Sequence, residues 1–318
     1  MKNDVIRGAR KLLTIIVVNW NAGVQLRTCI DSIAQHNAGL VAQTIVVDNG
    51  SVDGSDASVE GWPNVTLICA GANLGFGKAC NLGALQASSE YLLFLNPDAA
   101  LYAETLPKAL AYMQDPANEK VGICGVQLLD EAGHISRSCA RFPSVAGFAT
   151  HAAGLVRYFP RVGHSMAEWD HAQTSEVDQV IGAFFLVRRT LFESLHGFDE
   201  RFFVYFEEVD FSYRAGQAGW RSVYLADTQA FHAGGGTSNQ VKARRLFYSL
   251  RSRLLYAFKH FPHWQAWVLV GVTLVIEPVT RIVFSLLRGG LQDGRNTLKA
   301  YGMLLRDLLP ILRIARTA

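Results

Sequence analysis

Two groups of acids lie far apart in the chain and belong to residue types that do complementary chemistry. The first is Asn96-Pro97-Asp98, which ends the strand-forming run Tyr91-Leu92-Leu93-Phe94-Leu95. A carboxylate at the end of a buried strand needs a cation or hydrogen-bond donors, because an isolated charge is costly to desolvate. Ligands of open α/β sheets collect at the carboxyl ends of strands, where Asp98 falls. The second group is Glu207, Glu208 and Asp210, which follows the aromatic run Phe202-Phe203-Val204-Tyr205-Phe206. The expectation is that the fold brings both groups together, one to hold a metal ion and the other to supply a base.

Helical geometry sorts the second group. Asp210 and Arg214 stand at i and i+4, the spacing of a surface or structural ion pair. Glu207 shares their face, whereas Glu208 lies roughly 200° around from Asp210 at about 100° per residue. The bland alternative is that both glutamates only stabilise a helix N-terminus through its dipole. Asn73-Leu74-Gly75-Phe76-Gly77-Lys78 places two glycines before a helix. Such a loop either receives a phosphate at the helix N-terminus or is ordinary turn chemistry. His232 taken alone reads as a structural histidine more readily than as a ligand.

Strands alternating with helices must position these residues. Residues 12–18 form a continuous run rich in β-branched side chains, as in a strand buried on both faces of a parallel sheet. A helix pattern follows over about 24–34, and a second strand over 44–47 stops at Asp48-Asn49-Gly50-Ser51, turn chemistry that leaves another acid just beyond a strand. Strands at 65–69, 91–95 and 121–129 alternate with helices at about 78–87 and 104–114. The pattern breaks over 130–176, an irregular stretch suited to facing an acceptor. Residues 177–187 read as one more strand, with Gly182 permitting close backbone approach. A helix over about 207–218 and a last strand over 221–225 lead to Phe231-His232 and a flexible Gly234-Gly235-Gly236. The whole is a doubly wound α/β sheet. No Gly-x-Gly-x-x-Gly follows the first strand, which disfavours a dinucleotide-binding domain.

Composition bounds the rest. Half of the 318 residues are hydrophobic and mean hydropathy is +0.14, which excludes a disordered chain and an obvious polytopic membrane protein. The five cysteines (Cys29, Cys69, Cys80, Cys124, Cys139) lack metal-type spacing and read as reduced thiols in a cytosolic setting. Residues 241–318 carry 13 Lys and Arg against three acids, and the remainder 17 against 24. The acidic part and the basic tail therefore meet different partners. The polar, basic stretch 1–11 does not read as a signal peptide.

In the tail, 266–276 is the most apolar run, and Glu277-Pro278 is expected to interrupt it after 11 residues. That length is short of the roughly 20 residues a spanning helix needs. A second apolar piece at 279–287, Trp264 and Trp267, and Leu and Arg at helical spacing over 298–314 suit helices lying in the interface of an anionic leaflet. The alternatives are a helical hairpin packed on the catalytic domain or on a second copy in a homodimer.

Six motifs occur in order: Ile-Val-Val-Asn-Trp-Asn at 16–21, Val-Val-Asp-Asn-Gly-Ser-Val-Asp-Gly-Ser at 46–55, Asn-Leu-Gly-Phe-Gly at 73–77, Asn-Pro-Asp at 96–98, Gly-Phe-Asp-Glu-Arg-Phe-Phe-Val-Tyr-Phe-Glu-Glu-Val-Asp at 197–210, and Phe-His at 231–232. Together they resemble family 2 glycosyltransferases, specifically the rhamnosyltransferase-like branch, over about 12–260. The resemblance implies a GT-A fold: a Rossmann-like, mostly parallel sheet with helices on both faces, here followed by a C-terminal helical membrane-associating appendage. It divides the chain into a catalytic domain at 1–240, with a nucleotide-sugar half at about 12–129 and an acceptor half at about 130–240, and a basic helical region at 241–318.

The same resemblance implies inverting transfer of a sugar, rhamnose from dTDP-rhamnose in this branch, to a saccharide acceptor in surface polysaccharide synthesis. Mg²⁺ or Mn²⁺ is the implied cofactor and no nucleic acid is implied; the cytoplasmic membrane surface as a partner, and with it the polyprenyl-linked acceptor, is expected from the basic tail. Residue by residue, Asp48 matches the acid that binds the nucleobase, with Asn19 and Asn21 beside it and Asn73 in the donor-side loop. Asp98 matches the last acid of the Asp-x-Asp metal motif, and His232 matches a metal-ligating histidine. Glu208 matches the catalytic base, with Glu207 as runner-up. The chain departs from the motif at Asn96, an amide in place of the first acid. That departure keeps a rival reading open, a catalytically inactive membrane-associated nucleotide-sugar binder.

Overall fold

Every residue of β1 (Leu13–Asn19) is buried, as the apolar run requires of a strand covered on both faces. The computed structural model describes residues 12–37, 39–166, 168–234, 242–288 and 290–316. In it β1 leads through α1 (Val24–Asn37) to β2 (Val41–Asp48), its parallel neighbour. The next strand, β3 (Val65–Cys69), extends the sheet beyond β2, and α2 (Phe76–Ala84) returns the chain to β4 (Tyr91–Leu95) on the other side of β1. The short β5 (Ala99–Leu101), α3 (Thr105–Gln114) and β6 (Val121–Leu129) follow.

The chain after β6 is less regular. It contains β7 (Ile135–Ser136), β8 (Cys139–Ala140), α4 (Val145–Ala152), β9 (Ser175–Val177), β10 (Gln179–Val180), β11 (Phe184–Arg188), α5 (Arg189–Ser194), α6 (Glu207–Gln217) and β12 (Arg221–His232). The main sheet runs β3-β2-β1-β4-β11-β6-β12-β5. In it β11 is antiparallel to both β4 and β6, while β12 is parallel to β6 and antiparallel to β5.

Two strand expectations change. The single strand expected at 177–187 is three pieces, because each piece pairs differently: β9 with β12, β10 with β8, and β11 with β4 and β6. Gly182 lies in the break, where an added Cβ would touch the Phe76 ring at 3.5 Å. The last strand continues past 225 to His232, across an irregularity between Leu225 and Gln229. The two sheet faces are filled separately, one by side chains such as Val17, Leu26, Leu93 and Leu110, the other by Ile16, Phe94, Phe185 and Phe211. All five cysteines are free, and four of them are buried.

The tail forms α7 (Lys242–His260), α8 (His263–Gly271), α9 (Glu277–Leu287) and α10 (Leu291–Arg316). The break expected at Glu277-Pro278 does not occur. A π turn at Val272–Ile276 joins α8 to α9 in one run, His263–Leu287. Pro278 falls in the first turn of α9, where the altered hydrogen-bond ladder tolerates its missing N–H. By length and composition alone this run, with hydropathy 1.8, could cross a membrane. Its inner face, however, shares a core with α7 and α10 and with Phe148, Phe202 and Val209 of the catalytic half. The stretch 1–11, Gly235 and Gly236, and the boundary expected at 240/241 lie outside the described residues.

Candidate active site

The end of β4 turns sharply, with Ala99 N donating to Asn96 O at 3.1 Å and Asn96 N donating to Ala183 O at 3.1 Å. The chain then enters β5, whose antiparallel pairing with β12 sets His232 opposite Ala99, and Ala233 N donates to Asp98 O at 3.1 Å. As a result His232 Nε2 lies 3.4 Å from Asp98 Oδ1, with side chains 12% and 11% exposed, and 3.5 Å from Asn96 Nδ2. A carboxylate oxygen and an imidazole nitrogen at this separation suit neighbouring positions around one divalent cation. No cluster of three or more His, Cys, Asp or Glu able to hold a metal occurs among the described residues. The donor set thus fits a cation whose remaining positions are filled by diphosphate oxygens and water, and Asn96 contributes an amide where a second acid would stand.

The second station opens on two consecutive left-handed residues, Tyr205 (φ 67°) and Phe206 (φ 75°). Bulky L-residues rarely adopt this conformation, and surrounding structure must hold them there. It directs Glu207 and Glu208 into the first turn of α6. Glu207 is buried and Glu208 half-buried, and Oε2 of each is buried without a hydrogen-bond partner in the protein. Burial raises the Glu207 carboxyl well above its ordinary value, and the Glu208 charge raises it further; burial also raises Glu208. A carboxylate moved toward neutrality, with one buried oxygen left without a donor in the protein, suits a general base.

Asp210 has the opposite environment. It is fully buried and accepts from Arg214 Nε at 2.8 Å, with Lys259 Nζ at 2.6 Å and His260 Nε2 at 2.7 Å. Burial alone would raise its pKa, but the His260 hydrogen bond and the Arg214 and Lys259 charges hold it below the ordinary value. The expected Asp210–Arg214 pair is therefore present and is structural, and two residues from α7 extend it.

A short chain of contacts joins the glycine loop to the second station. Phe76 N donates to Phe203 O at 2.7 Å. Gly75 (φ 87°) admits that approach, since a Cβ there would overlap the Phe203 carbonyl. A Cβ on Gly77 would lie 3.3 Å from Glu207 Cβ and from Phe198 Cβ. Of the two readings of this glycine loop, packing accounts for both glycines, and the first amide of α2 is already occupied.

The donor-side residues also converge. Asp48 accepts from Asn19 Nδ2 at 2.9 Å and from the backbone N–H groups of Gly50 and Ser51 at 3.2 and 3.1 Å. Asn19 Nδ2 reaches Ser51 and Ser55 as well, while its Oδ1 is buried without a partner. Asn21, with φ 52°, accepts from Val52 N at 2.8 Å and so shapes the loop. Asn73 Oδ1 accepts from Gly75 N at 3.0 Å and Asn49 Nδ2 at 3.1 Å, which commits that oxygen to its own turn.

Residues 14–136 match the model of the family described as Glycosyl transferase family 2. The chain is 30% identical over 281 residues to N-acetylglucosaminyl-diphospho-decaprenol L-rhamnosyltransferase of Mycobacterium tuberculosis, which covers 82% of this chain and 90% of that protein. The chain belongs to glycosyl transferase family 2. It is also 25% identical to Rhamnosyltransferase WbbL of Escherichia coli over 195 residues, 58% of this chain and 71% of that one. A mannosyltransferase of Pyrobaculum calidifontis, solved in complex with GDP-Man and Mn²⁺, superposes with a TM-score of 0.54 at 19% identity, over 96% of this chain and 85% of that one. This likeness gives the expected GT-A fold.

Three contributors to the glycosyltransferase site went unread in the sequence. Asn49, 3% exposed, accepts from Leu74 N at 2.8 Å and donates to Gly75 O at 3.2 Å, pinning the 73–75 loop. Its only signal was membership of Asp-Asn-Gly-Ser, which reads equally as turn chemistry. Lys259 and His260 clamp Asp210 from α7, and no local pattern links them to the acidic station.

Proposed function

We propose that this enzyme transfers rhamnose, with inversion, from dTDP-rhamnose to a polyprenyl-diphosphate-linked saccharide, working with Mg²⁺ or Mn²⁺ at the cytoplasmic face of the membrane. The observation that carries the reading is the buried, unpartnered Oε2 of Glu208, in a carboxyl raised by its surroundings at the start of α6. Near-full-length likeness to the decaprenol-linked rhamnosyltransferase supports the choice of sugar and acceptor.

In this mechanism Asp48, held by Asn19 and the 50–51 amides, binds the nucleobase. Asp98 and His232 would hold the divalent cation, which when bound offsets the charge of the departing diphosphate. Glu208 takes the proton of the acceptor hydroxyl as that oxygen attacks the anomeric carbon from the face opposite the leaving group. Glu207, which burial and the neighbouring Glu208 charge push further toward neutrality, favours the form that spares Glu208 a second adjacent charge. Asp210 holds α6 in place.

A transfer assay with dTDP-rhamnose and a polyprenyl-diphosphate N-acetylglucosamine acceptor tests the whole reading. Rhamnosylated lipid with inverted configuration is expected, and Asp98→Ala should remove the metal-dependent part of donor affinity in calorimetry with and without Mg²⁺. Donor binding without transfer to any lipid-linked or free saccharide would instead favour the inactive binder that Asn96 suggests.

A further inference from the structure

Among the described residues, every exposed large hydrophobic side chain except Val24, Val52, Leu85, Tyr102 and Ile135 belongs to two segments, the loop after α4 and the C-terminal helices. Apolar exposure concentrated in this way marks a surface that a partner covers. The loop contributes Leu155, Tyr158, Phe159 and Val162, with Tyr158 73% exposed. The helices contribute Trp264, Trp267, Val279, Leu286 and Leu287 among others.

The two segments meet although they are distant in sequence. Thr280 Oγ1 donates to Ala152 O at 2.5 Å, and the Phe284 ring occupies the space a Cβ on Gly154 would need. A groove of about 540 Å³ opens at this seam, lined by Lys242, Arg281 and Arg288 together with His151 and Asn296. Exposed Arg157 and Arg161 alternate with the loop aromatics. The acids at the groove are already engaged, Glu277 by Arg253 and Arg281, and Asp293 by Lys242.

The helical run His263–Leu287 is long enough to span a bilayer, yet its inner face argues against that orientation. Glu277 in its interior is 1% exposed and bound to Arg253 of α7 at 2.5 Å, while Ala266, Leu269 and Val270 are packed in the helical core. Crossing the hydrocarbon would carry this charged cluster with it, which is costly. Lying along the surface leaves the cluster in the protein and gives the outer face to lipid.

We infer that the loop at 154–163 is a second membrane foothold. It and the outer face of α8 and α9 form one surface that seats on an anionic phospholipid bilayer, and the groove between them takes the phosphate of a lipid headgroup. Charge complementarity selects this occupant: Arg157, Arg161 and Arg288 surround the apolar side chains, and the tail carries 13 basic residues against three acids. The inference rests on reading the tail as membrane-facing and extends that surface into the catalytic half.

Flotation of the full chain with phosphatidylcholine vesicles, with and without phosphatidylglycerol, tests it. The wild type should float with the anionic vesicles and much less with neutral ones. Tyr158→Ser with Phe159→Ser should lower partitioning at least about tenfold, since two large apolar side chains leave the interface, with melting temperature in the absence of vesicles unchanged. Arg157→Gln with Arg161→Gln, at exposed positions only, and Arg288→Gln in the groove should weaken binding in the same direction. Loop variants that float like the wild type overturn the inference; if Leu286→Ser with Leu287→Ser then loses flotation, the reading of the tail survives alone. Equal partitioning of the wild type to neutral and anionic vesicles also overturns it. Flotation involves no sugar transfer, so either result is independent of donor and acceptor identity.

Discussion

At the scale of residues, three acids within four positions have two different fates because they meet two different environments. Asp210 is surrounded by Arg214, Lys259 and His260 and is held ionised; Glu207 and Glu208 have buried oxygens without donors and are pushed toward the protonated form. Glu208→Gln should therefore lower turnover by about 10²–10⁴, the range of general-base catalysis, with nucleotide affinity in calorimetry close to wild type. Near-normal turnover would remove Glu208 from the mechanism. Glu207→Gln makes a separate prediction about stability. A carboxyl whose folded pKa is raised favours the fold below its unfolded pKa of about 4.3, and that contribution is lost as pH rises through the folded value. Replacing it with a neutral amide should raise the melting temperature at pH 7 by roughly 2–4 °C, and the gain should vanish in mild acid. The pairing of Asp210 with Arg214 was legible from their i, i+4 spacing. Burial of Glu207 was not, because it depends on Gly77 and Phe198 closing over it from elsewhere in the chain.

At the scale of elements, apolar runs such as Tyr91–Leu95 and Val121–Leu129 disclosed their strands with the observed bounds, since strands covered on both faces leave no polar position to blur the run. Elements defined by a distant partner stayed hidden. The three-residue β5 is too short for a period, yet its pairing with β12 is what sets His232 beside Asp98. The breaks at 178 and 181–183 arise because neighbouring residues choose β12, β8 and β4 as partners, a nonlocal outcome. Pro278 read as a helix breaker, but a π turn absorbs it. The glycine loop before α2 tests how far such close approaches govern the site. Gly75→Ala would require a left-handed alanine and displace the Phe203 carbonyl, so a loss of about 2–3 kcal/mol with a fall in turnover is expected, as α6 begins four residues later. Gly77→Ala, whose Cβ would meet flexible side chains at 3.3 Å, should cost less in both denaturation and kinetics. Equal effects of the two substitutions would show that the Phe203 contact does not position α6.

At the scale of the whole molecule, the basic tail is built into the catalytic half through charges as well as through the shared core. Lys259 of α7 binds both Asp199 and Asp210 at 2.6 Å, Arg251 donates to Arg201 O at 2.9 Å, and Ser252 donates to Val204 O at 2.9 Å. These contacts bracket the segment that leads into Tyr205, Phe206 and the two glutamates, so the tail supports the left-handed backbone at the entry to α6. Burial would raise Asp199, but Arg201 and Lys259 outweigh it and hold the carboxyl far below its ordinary range, and Asp210 is likewise lowered. For a depressed folded pKa the stabilisation is fully present above the unfolded value of about 3.9 and is lost as pH falls toward the folded value. Melting temperature should therefore drop steeply below about pH 4. Lys259→Met removes one charge from both pairs while keeping the length of the stem. Asp199 keeps Arg201, and Asp210 keeps Arg214 and His260, so the loss at pH 7 should be about 2 kcal/mol rather than the larger cost of an uncompensated buried charge. The acid limb of its stability curve should be shallower than that of the wild type. Because the clamp holds the entry to α6, the variant should also lose turnover at pH 7 while nucleotide affinity, assigned above to Asp48, is retained. A variant with wild-type turnover and an unchanged acid limb would mean that the tail merely rests against the catalytic half and does not hold its base in place.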